Sequence, residues 1–180
     1  MNTFFTSDLH FGHANIIKYC NRPWESVQAM DEALISNWNQ TVKHDDLVYV
    51  LGDVFFCEAK RASEIMHRLN GRKQLILGNH DKMIRNQVPI QNLFEKIHPD
   101  LHADTIDGIY VVMCHYPLLT WNRAFRGSFM LHGHCHNTIP FDPTQRRLDV
   151  GVDAQGYAPI RWEDIKRKLE KIDGKDVRDY

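Results

Sequence analysis

Histidine, aspartate and asparagine are concentrated in short motifs along the 180-residue chain. The densest motif is Leu131-His132-Gly133-His134-Cys135-His136, in which three imidazoles and a thiol occupy six residues. Clustered imidazoles repel one another once protonated and gain most when a cation holds them neutral. The remaining motifs, in chain order, are Asp8-Leu9-His10, Gly52-Asp53, Gly78-Asn79-His80-Asp81 and Cys114-His115. These residue types predict a metal site assembled from distant parts of the chain.

Apolar runs of strand length lead into these motifs. Residues 4–6, 47–51, 75–77 and 109–113 are such runs, and each ends beside one of the motifs. Sites in layered α/β folds lie at the carboxyl ends of strands, so we expect the motifs to converge there. In extended backbone, residues two apart share a face. We therefore expect Asp8 and His10 to point one way, and His134 and His136 likewise.

Amphipathic spacing predicts the helices that support this rim. Helices are expected over residues 14–20, 27–40 and 59–69, and a further helix is expected to begin at Pro159. Asn70-Gly71 predicts the end of the third helix, and Asp107-Gly108 predicts a hairpin turn. Strands and helices alternate early, and strands dominate later. The sequence thus predicts one layered α/β domain over residues 1–180, with a mixed sheet or two packed sheets.

Composition limits the classes of function. Hydrophobic residues make up 43% and charged residues 25%, which is ordinary for a soluble globular protein. A formal net charge of −1 provides no broad basic surface for duplex nucleic acid. No signal-peptide pattern or membrane-length apolar run is present, so we expect a cytoplasmic protein without a membrane partner. The cysteines form no C-x-x-C pair and are expected to be reduced, with Cys114 and Cys135 as small core residues.

Seven side chains supply the donors of a two-metal site. One metal takes about four to six donors, so seven nitrogen and oxygen donors suffice for two metals if one carboxylate bridges them. The candidate ligands are the carboxylates of Asp8 and Asp53, the amide of Asn79, and the imidazoles of His10, His115, His134 and His136.

The five motifs and their order resemble those of the calcineurin-like metallophosphoesterase superfamily. They read Asp-x-His, Gly-Asp, Gly-Asn-His-Asp, a lone His and Gly-His-x-His, from Asp8 to His136. The resemblance implies a four-layer α/β/β/α sandwich with two mixed sheets and two divalent ions, which could be manganese, iron or zinc. It assigns Asp8, His10 and His136 to the first ion, Asn79, His115 and His134 to the second, and Asp53 to both. It also implies that His80 is a catalytic residue that protonates the leaving oxygen or stabilises the transition state.

Departures from the family's protein phosphatases narrow the expected substrate. Leu77 and Asp81 flank Gly-Asn-His where those enzymes carry arginine and glutamate, and Val54-Phe55-Phe56 replaces their Asp-Arg-Gly segment. The short chain resembles capless bacterial or phage phosphodiesterases. We therefore expect hydrolysis of small phosphodiesters, including nucleotides, by a hydroxide shared between two metals. The alternatives are a phosphomonoesterase or nucleotidase, and a non-catalytic scaffold on the same fold.

Further side chains have two open interpretations each. His13, Arg123 and Arg126 are candidates for contacting a substrate phosphate, with helix capping or surface salt bridges as the alternatives. Asp81 either orients His80 or caps the following helix. Trp121 and Phe125 either stack on a base or pack in the core.

Overall fold

The computed structural model describes residues 1–172 of the chain. Its first half alternates strands and helices: β1 (Thr3–Thr6), α1 (Ala14–Tyr19), α2 (Val27–Thr41), β2 (Leu47–Val50), α3 (Ala59–Arg68), β3 (Arg72–Ile76), α4 (Lys82–Asn86), α5 (Val88–Gln91) and β4 (Lys96–His98). The second half contains β5 (Leu101–Ile106), β6 (Ile109–Cys114), a 3-10 helix (Ala124–Arg126), β7 (Phe129–His132), β8 (Arg147–Asp149), β9 (Ile160–Arg161) and α6 (Trp162–Leu169).

The strands form two mixed sheets. The first has the order β4-β3-β2-β1-β9, in which β1 to β4 are parallel and β9 runs antiparallel to β1. The second has the order β5-β6-β7-β8, with β5 antiparallel to β6 and the other pairs parallel. The predicted layered α/β fold with two mixed sheets is confirmed. The hairpin turn predicted at Asp107-Gly108 joins β5 to β6.

Alternating residues of the first sheet face two hydrophobic clusters. Val48 and Leu75 pack with Leu34 and Trp38 of α2, on the helical side of the sheet. Their neighbours in sequence face the second sheet, in a cluster that also includes residues of α6: Phe5, Tyr49, Leu51, Ile76, Met113, Leu131, Trp162 and Ile165. The core between the sheets therefore ends directly beneath the loops that carry the motifs.

A thinner layer covers the outer face of the second sheet. Val112 and Met130 pack there against Trp121 and Ala124, and a 3-10 helix takes the place of a full α-helix. Trp121 is thus a core residue, and its indole nitrogen lies 3.0 Å from the Ser128 hydroxyl oxygen.

Two predicted helix boundaries are wrong. The segment after Pro159 first forms β9, whose Ile160 and Arg161 pair with the edge of β1, so α6 begins at Trp162. Pairing of this short strand protects an otherwise open sheet edge. The helix α3 ends with extended backbone at Leu69, so Asn70-Gly71 lies in the turn before β3. No helix within residues 1–172 is both long and apolar enough to cross a bilayer.

Candidate metal centre

The candidate ligands lie at the carboxyl ends of β1, β2, β3, β6 and β7, all at one rim of the two sheets. A backbone bridge between Ser7 and Gly151 joins the sheets at this rim. Five of the ligand residues have left-handed backbone, with φ from 46° to 69°: Asp8, His10, Asp53, His134 and His136. The expectation of extended segments at Asp8/His10 and His134/His136 is therefore wrong. Such backbone is uncommon outside glycine and is concentrated at functional sites.

Two glycines allow the loops to approach closely. A Cβ atom at Gly78 would lie 2.7 Å from the backbone nitrogen of Asp53, and one at Gly133 would lie 2.5 Å from Oδ2 of Asp8. Real Cβ atoms do not make such contacts. The absence of a side chain at both positions therefore lets the two carboxylates lie against neighbouring loops.

In the first group of candidate ligands, Asp8 and His10 are buried and His136 is half-buried. Asp8, His10 and His136 offer ligand atoms that lie within 4.8 Å of one another. Oδ2 of Asp8 accepts a hydrogen bond of 2.9 Å from the backbone N–H of His134. Oδ1 of Asp8 and Nε2 of His10 are buried without a hydrogen-bond partner in the described chain. Because an unpaired buried polar atom costs about 1–3 kcal/mol, these atoms indicate a position that a cation would fill.

The second group surrounds Nε2 of His115. This nitrogen lies 3.0 Å from Oδ1 of Asn79, 3.3 Å from Nδ1 of His134 and 3.4 Å from Oδ2 of Asp53. The same oxygen of Asp53 lies 3.8 Å from Nε2 of His10. The structure thus brings all seven predicted ligand residues together, with the Asp53 carboxylate between the two groups.

The electrostatics of the rim suit a divalent cation. Burial raises the pKa of Asp8 to about 7, against the opposing influence of His115 and His136. Burial also lowers the pKa of His10 to about 2. At His115, burial lowers the pKa, but Asp53 and Asp8 outweigh it and raise the pKa to about 9. Metal ligation requires ionised carboxylates and neutral imidazoles, and a cation would stabilise both forms here. The donor set therefore fits a metal centre.

Residues 1–177 match the family profile described as calcineurin-like phosphoesterase. The chain belongs to this family. An uncharacterized protein of Methanocaldococcus jannaschii is 36% identical over 182 residues, covering 97% of this chain and 94% of that protein. The gene 66 protein of Mycobacterium phage L5 is 30% identical over 203 residues, covering 96% of this chain and 98% of that protein. The structure of an Aquifex aeolicus protein of unknown function shares the fold, with a TM-score of 0.72, 22% identity and coverage of 92% and 98%.

This calcineurin-like phosphoesterase has a buried ion pair behind the metal centre that sequence reasoning missed. Arg22, which is 4% exposed, donates from Nε and Nη2 to the carboxylate of Asp153, at 2.8 Å each. It also donates to the carbonyl oxygens of Asp8 and Leu9. Oδ2 of Asp153 lies 2.7 Å from Nδ1 of His136, and such a contact orients a ligand imidazole. Asp153 follows shortly after β8, much as the candidate ligands follow their strands, whereas Arg22 belongs to none of the motifs.

Asp81 has neither of its predicted roles. It makes no side-chain capping bond to α4. Its carboxylate instead accepts hydrogen bonds of 2.8–3.0 Å from the backbone N–H groups of Gly78, Asp53 and Val54. Asp81 therefore ties the loop after β2 to the loop after β3. His80 also joins these loops, since its backbone N–H donates to Oδ1 of Asp53 at 2.9 Å, while its side chain is exposed.

A cavity of about 780 Å³ opens over the candidate metal centre of the phosphoesterase. His13 lines this cavity, and its ring stacks on that of Phe56 with the centroids 4.0 Å apart. Nδ1 of His13 lies 3.1 Å from Nδ1 of His10. Cys114 is a core residue as expected, whereas Cys135 is half-buried and lines the cavity.

The two other predicted substrate contacts lie elsewhere. Arg123 and Arg126 line a second cavity of about 650 Å³, beside Tyr110 and Arg146. Both arginines precede β7 and lie at its amino end, whereas the candidate ligands His134 and His136 follow its carboxyl end. The structure therefore does not bring Arg123 and Arg126 to the predicted centre.

Replacement of Asp153 by alanine should leave the buried Arg22 guanidinium without its carboxylate partner. We expect the free energy of unfolding of Asp153→Ala to fall by about 3–5 kcal/mol, measured by urea denaturation. Glu32→Ala, which removes an exposed ion pair with Arg68, is the matched control and should change it by less than about 1 kcal/mol. Equal small losses in both variants would show that the buried pair has no special role.

Asp53→Asn should weaken metal binding at both groups of ligands, because asparagine keeps an oxygen for the His80 N–H but removes the shared charge. After dialysis against Mn²⁺, elemental analysis should find less than half of the wild-type manganese in the folded variant. Asp45→Asn, at an exposed aspartate, should retain the wild-type content. Full metal content in Asp53→Asn would contradict a shared carboxylate.

Proposed function

We propose that this phosphoesterase is a phosphodiesterase that uses two divalent metal ions. The observation that carries the proposal is the position of the Asp53 carboxylate, 2% exposed, between the imidazoles of His10 and His115. The first ion would be held by Asp8, His10 and His136, the second by Asn79, His115 and His134, and Asp53 would contact both. Mixed nitrogen and oxygen donors are compatible with manganese, iron or zinc.

Two divalent ions, when bound, would offset the negative charge of a phosphate ester and lower the pKa of water, so that hydroxide is available to attack near neutral pH. The chain itself must then supply a proton to the leaving oxygen. Two observations support His80 for this role: it lines the cavity, and its backbone N–H donates to Oδ1 of Asp53. General acid catalysis of this kind contributes about 10²- to 10⁴-fold. His13 lines the same cavity and would contact the substrate phosphate.

The charge of the cavity favours diesters over monoesters. No lysine or arginine from residues 1–172 lines it. A phosphate monoester carries about −1.5 to −2 charges at neutral pH, whereas a diester carries one. A monoester would therefore bring extra charge that no side chain of the cavity neutralises. The volume of about 780 Å³ is in the range of small-molecule sites, which suits a small ester or a nucleotide.

The direct test compares two substrates across metals. Protein loaded separately with Mn²⁺, Fe²⁺ or Zn²⁺ should hydrolyse bis(p-nitrophenyl) phosphate with a higher kcat/KM than p-nitrophenyl phosphate. The reverse order would indicate a phosphomonoesterase. Failure to cleave either ester, or any nucleotide diester, with every metal would refute the proposal.

His80→Ala separates catalysis from metal binding. Because His80 is not among the proposed ligands, the variant should keep the wild-type metal content while kcat on thymidylyl-(3′→5′)-thymidine, whose leaving alkoxide needs a proton, falls by about 10²- to 10⁴-fold. His44→Ala, at an exposed histidine outside the cavity, should retain wild-type kcat. An unchanged kcat in His80→Ala would exclude the proton-donor role.

A further inference from the structure

The cavity over the proposed centre is lined by two chemically different sets of residues. One set is Asp53 and the histidines. The other set, which we call the apolar wall, consists of Ile16 and Tyr19 from α1, Phe56 from the loop after β2, and Ile139 from the loop after β7. The apolar wall therefore belongs to the same cavity as the proposed site.

The apolar wall exposes large side chains to solvent. Tyr19 is 73% exposed and Ile139 is 40% exposed. Single exposed apolar residues are common, but these two share one cavity with the half-buried Phe56 and the buried Ile16, and an apolar lining beside polar groups is typical of a small-molecule site. Covering such surface contributes about 25 cal/mol per Å². The ligand that covers this wall must therefore present an apolar or aromatic face.

Phe56 connects the apolar wall to the chemistry. Its ring stacks on His13 with an interplanar angle of 10°, and its centroid lies 4.8 Å from that of His80. A group resting on the wall would thus lie close to the scissile phosphodiester. This closeness places the group on the ester itself and not on a remote part of a long substrate.

The side chains that line the cavity argue against a polyanionic substrate. The one arginine near the centre, among the described residues, is Arg22, and its guanidinium is buried and paired with Asp153. Proteins that bind nucleic-acid strands neutralise successive phosphates with lysine and arginine. The cavity lining in residues 1–172 offers neither residue for the phosphates that flank a scissile bond.

We propose that the apolar wall binds an uncharged aromatic group, such as a nucleobase or an aryl ring, that forms the retained group of the scissile phosphodiester. The preferred substrates are then small aryl or nucleoside diesters, in preference to alkyl diesters and to polynucleotides. This inference rests on the phosphodiesterase function proposed above. Stacking on an aromatic side chain is worth about 1–3 kcal/mol per base, or about 5- to 150-fold in affinity.

The test varies the retained group while keeping one leaving group. Methyl p-nitrophenyl phosphate, phenyl p-nitrophenyl phosphate and thymidine 5′-(p-nitrophenyl phosphate) all release p-nitrophenolate. The phenyl and thymidine esters should have kcat/KM values at least about 5-fold above that of the methyl ester. A single-stranded oligonucleotide should be cleaved with a lower kcat/KM than the thymidine ester, and the reverse order would overturn the inference.

Variants of the apolar wall test the assignment by residue. Tyr19→Ala and Ile139→Ser should raise KM for the thymidine ester by about 5-fold or more and leave KM for the methyl ester and the metal content unchanged. Phe125→Ala, at an exposed aromatic residue outside this cavity, is the matched control and should change neither KM. Binding gives a readout without turnover: both wall variants should lose affinity for thymidine 5′-monophosphate but not for inorganic phosphate.

The possible failures are distinguishable. If no p-nitrophenyl diester is cleaved with any metal, the proposed function fails, and this inference fails with it. If all three esters are cleaved equally well and Tyr19→Ala alters no KM, the phosphodiesterase stands and the role of the apolar wall is refuted.

Discussion

A buried carboxylate between two imidazoles is the constraint on which this structure depends. Oδ2 of Asp53 lies 3.8 Å from Nε2 of His10 and 3.4 Å from Nε2 of His115. His10 follows β1 of the first sheet, and His115 follows β6 of the second, so the cluster joins both halves of the chain. Polar groups this deeply buried are costly unless they are paired or bind a cation. A cation bound at the proposed metal centre would therefore offset the cost of bringing these loops together.

Contacts other than metal binding also hold the surrounding loops in place. Asp81 accepts three backbone hydrogen bonds that connect the loops after β2 and β3. Beneath them, Leu51 and Leu131 pack between the sheets immediately before the motifs begin. Packing of these apolar strand ends therefore holds in position the polar turns that carry the proposed ligands. The Arg22–Asp153 pair fixes His136 from behind.

Much of this arrangement could be predicted from the sequence, because each motif follows an apolar run and parallel strands deliver their ends to one rim. The turns at Asp8 and His134 could not, since Asp and His adopt left-handed backbone more often than most residues but still too rarely for the residue type to predict it. The Arg22–Asp153 pair joins residues 131 apart and depends on the folded topology. Arg123 was placed wrongly for a similar reason: proximity to His134 in sequence does not tell which end of β7 a side chain occupies.

The proposed metal centre and the apolar wall would recognise different parts of the substrate. The proposed metals would bind the phosphate, which all phosphate esters share, and the apolar wall would select the group attached to it. Selection by an apolar surface also explains why a chain with a net charge of −1 needs no basic groove. Specificity would then depend on Tyr19 and Ile139, which lie outside the recognised motifs.

The most direct measurement is anomalous diffraction at the manganese edge from crystals grown with Mn²⁺. Two peaks about 3.5–4 Å apart are expected, with the Asp53 carboxylate within about 2.0–2.6 Å of both, Asp8, His10 and His136 around one, and Asn79, His115 and His134 around the other. A single peak, or two peaks of which only one contacts Asp53, would contradict the shared two-metal centre.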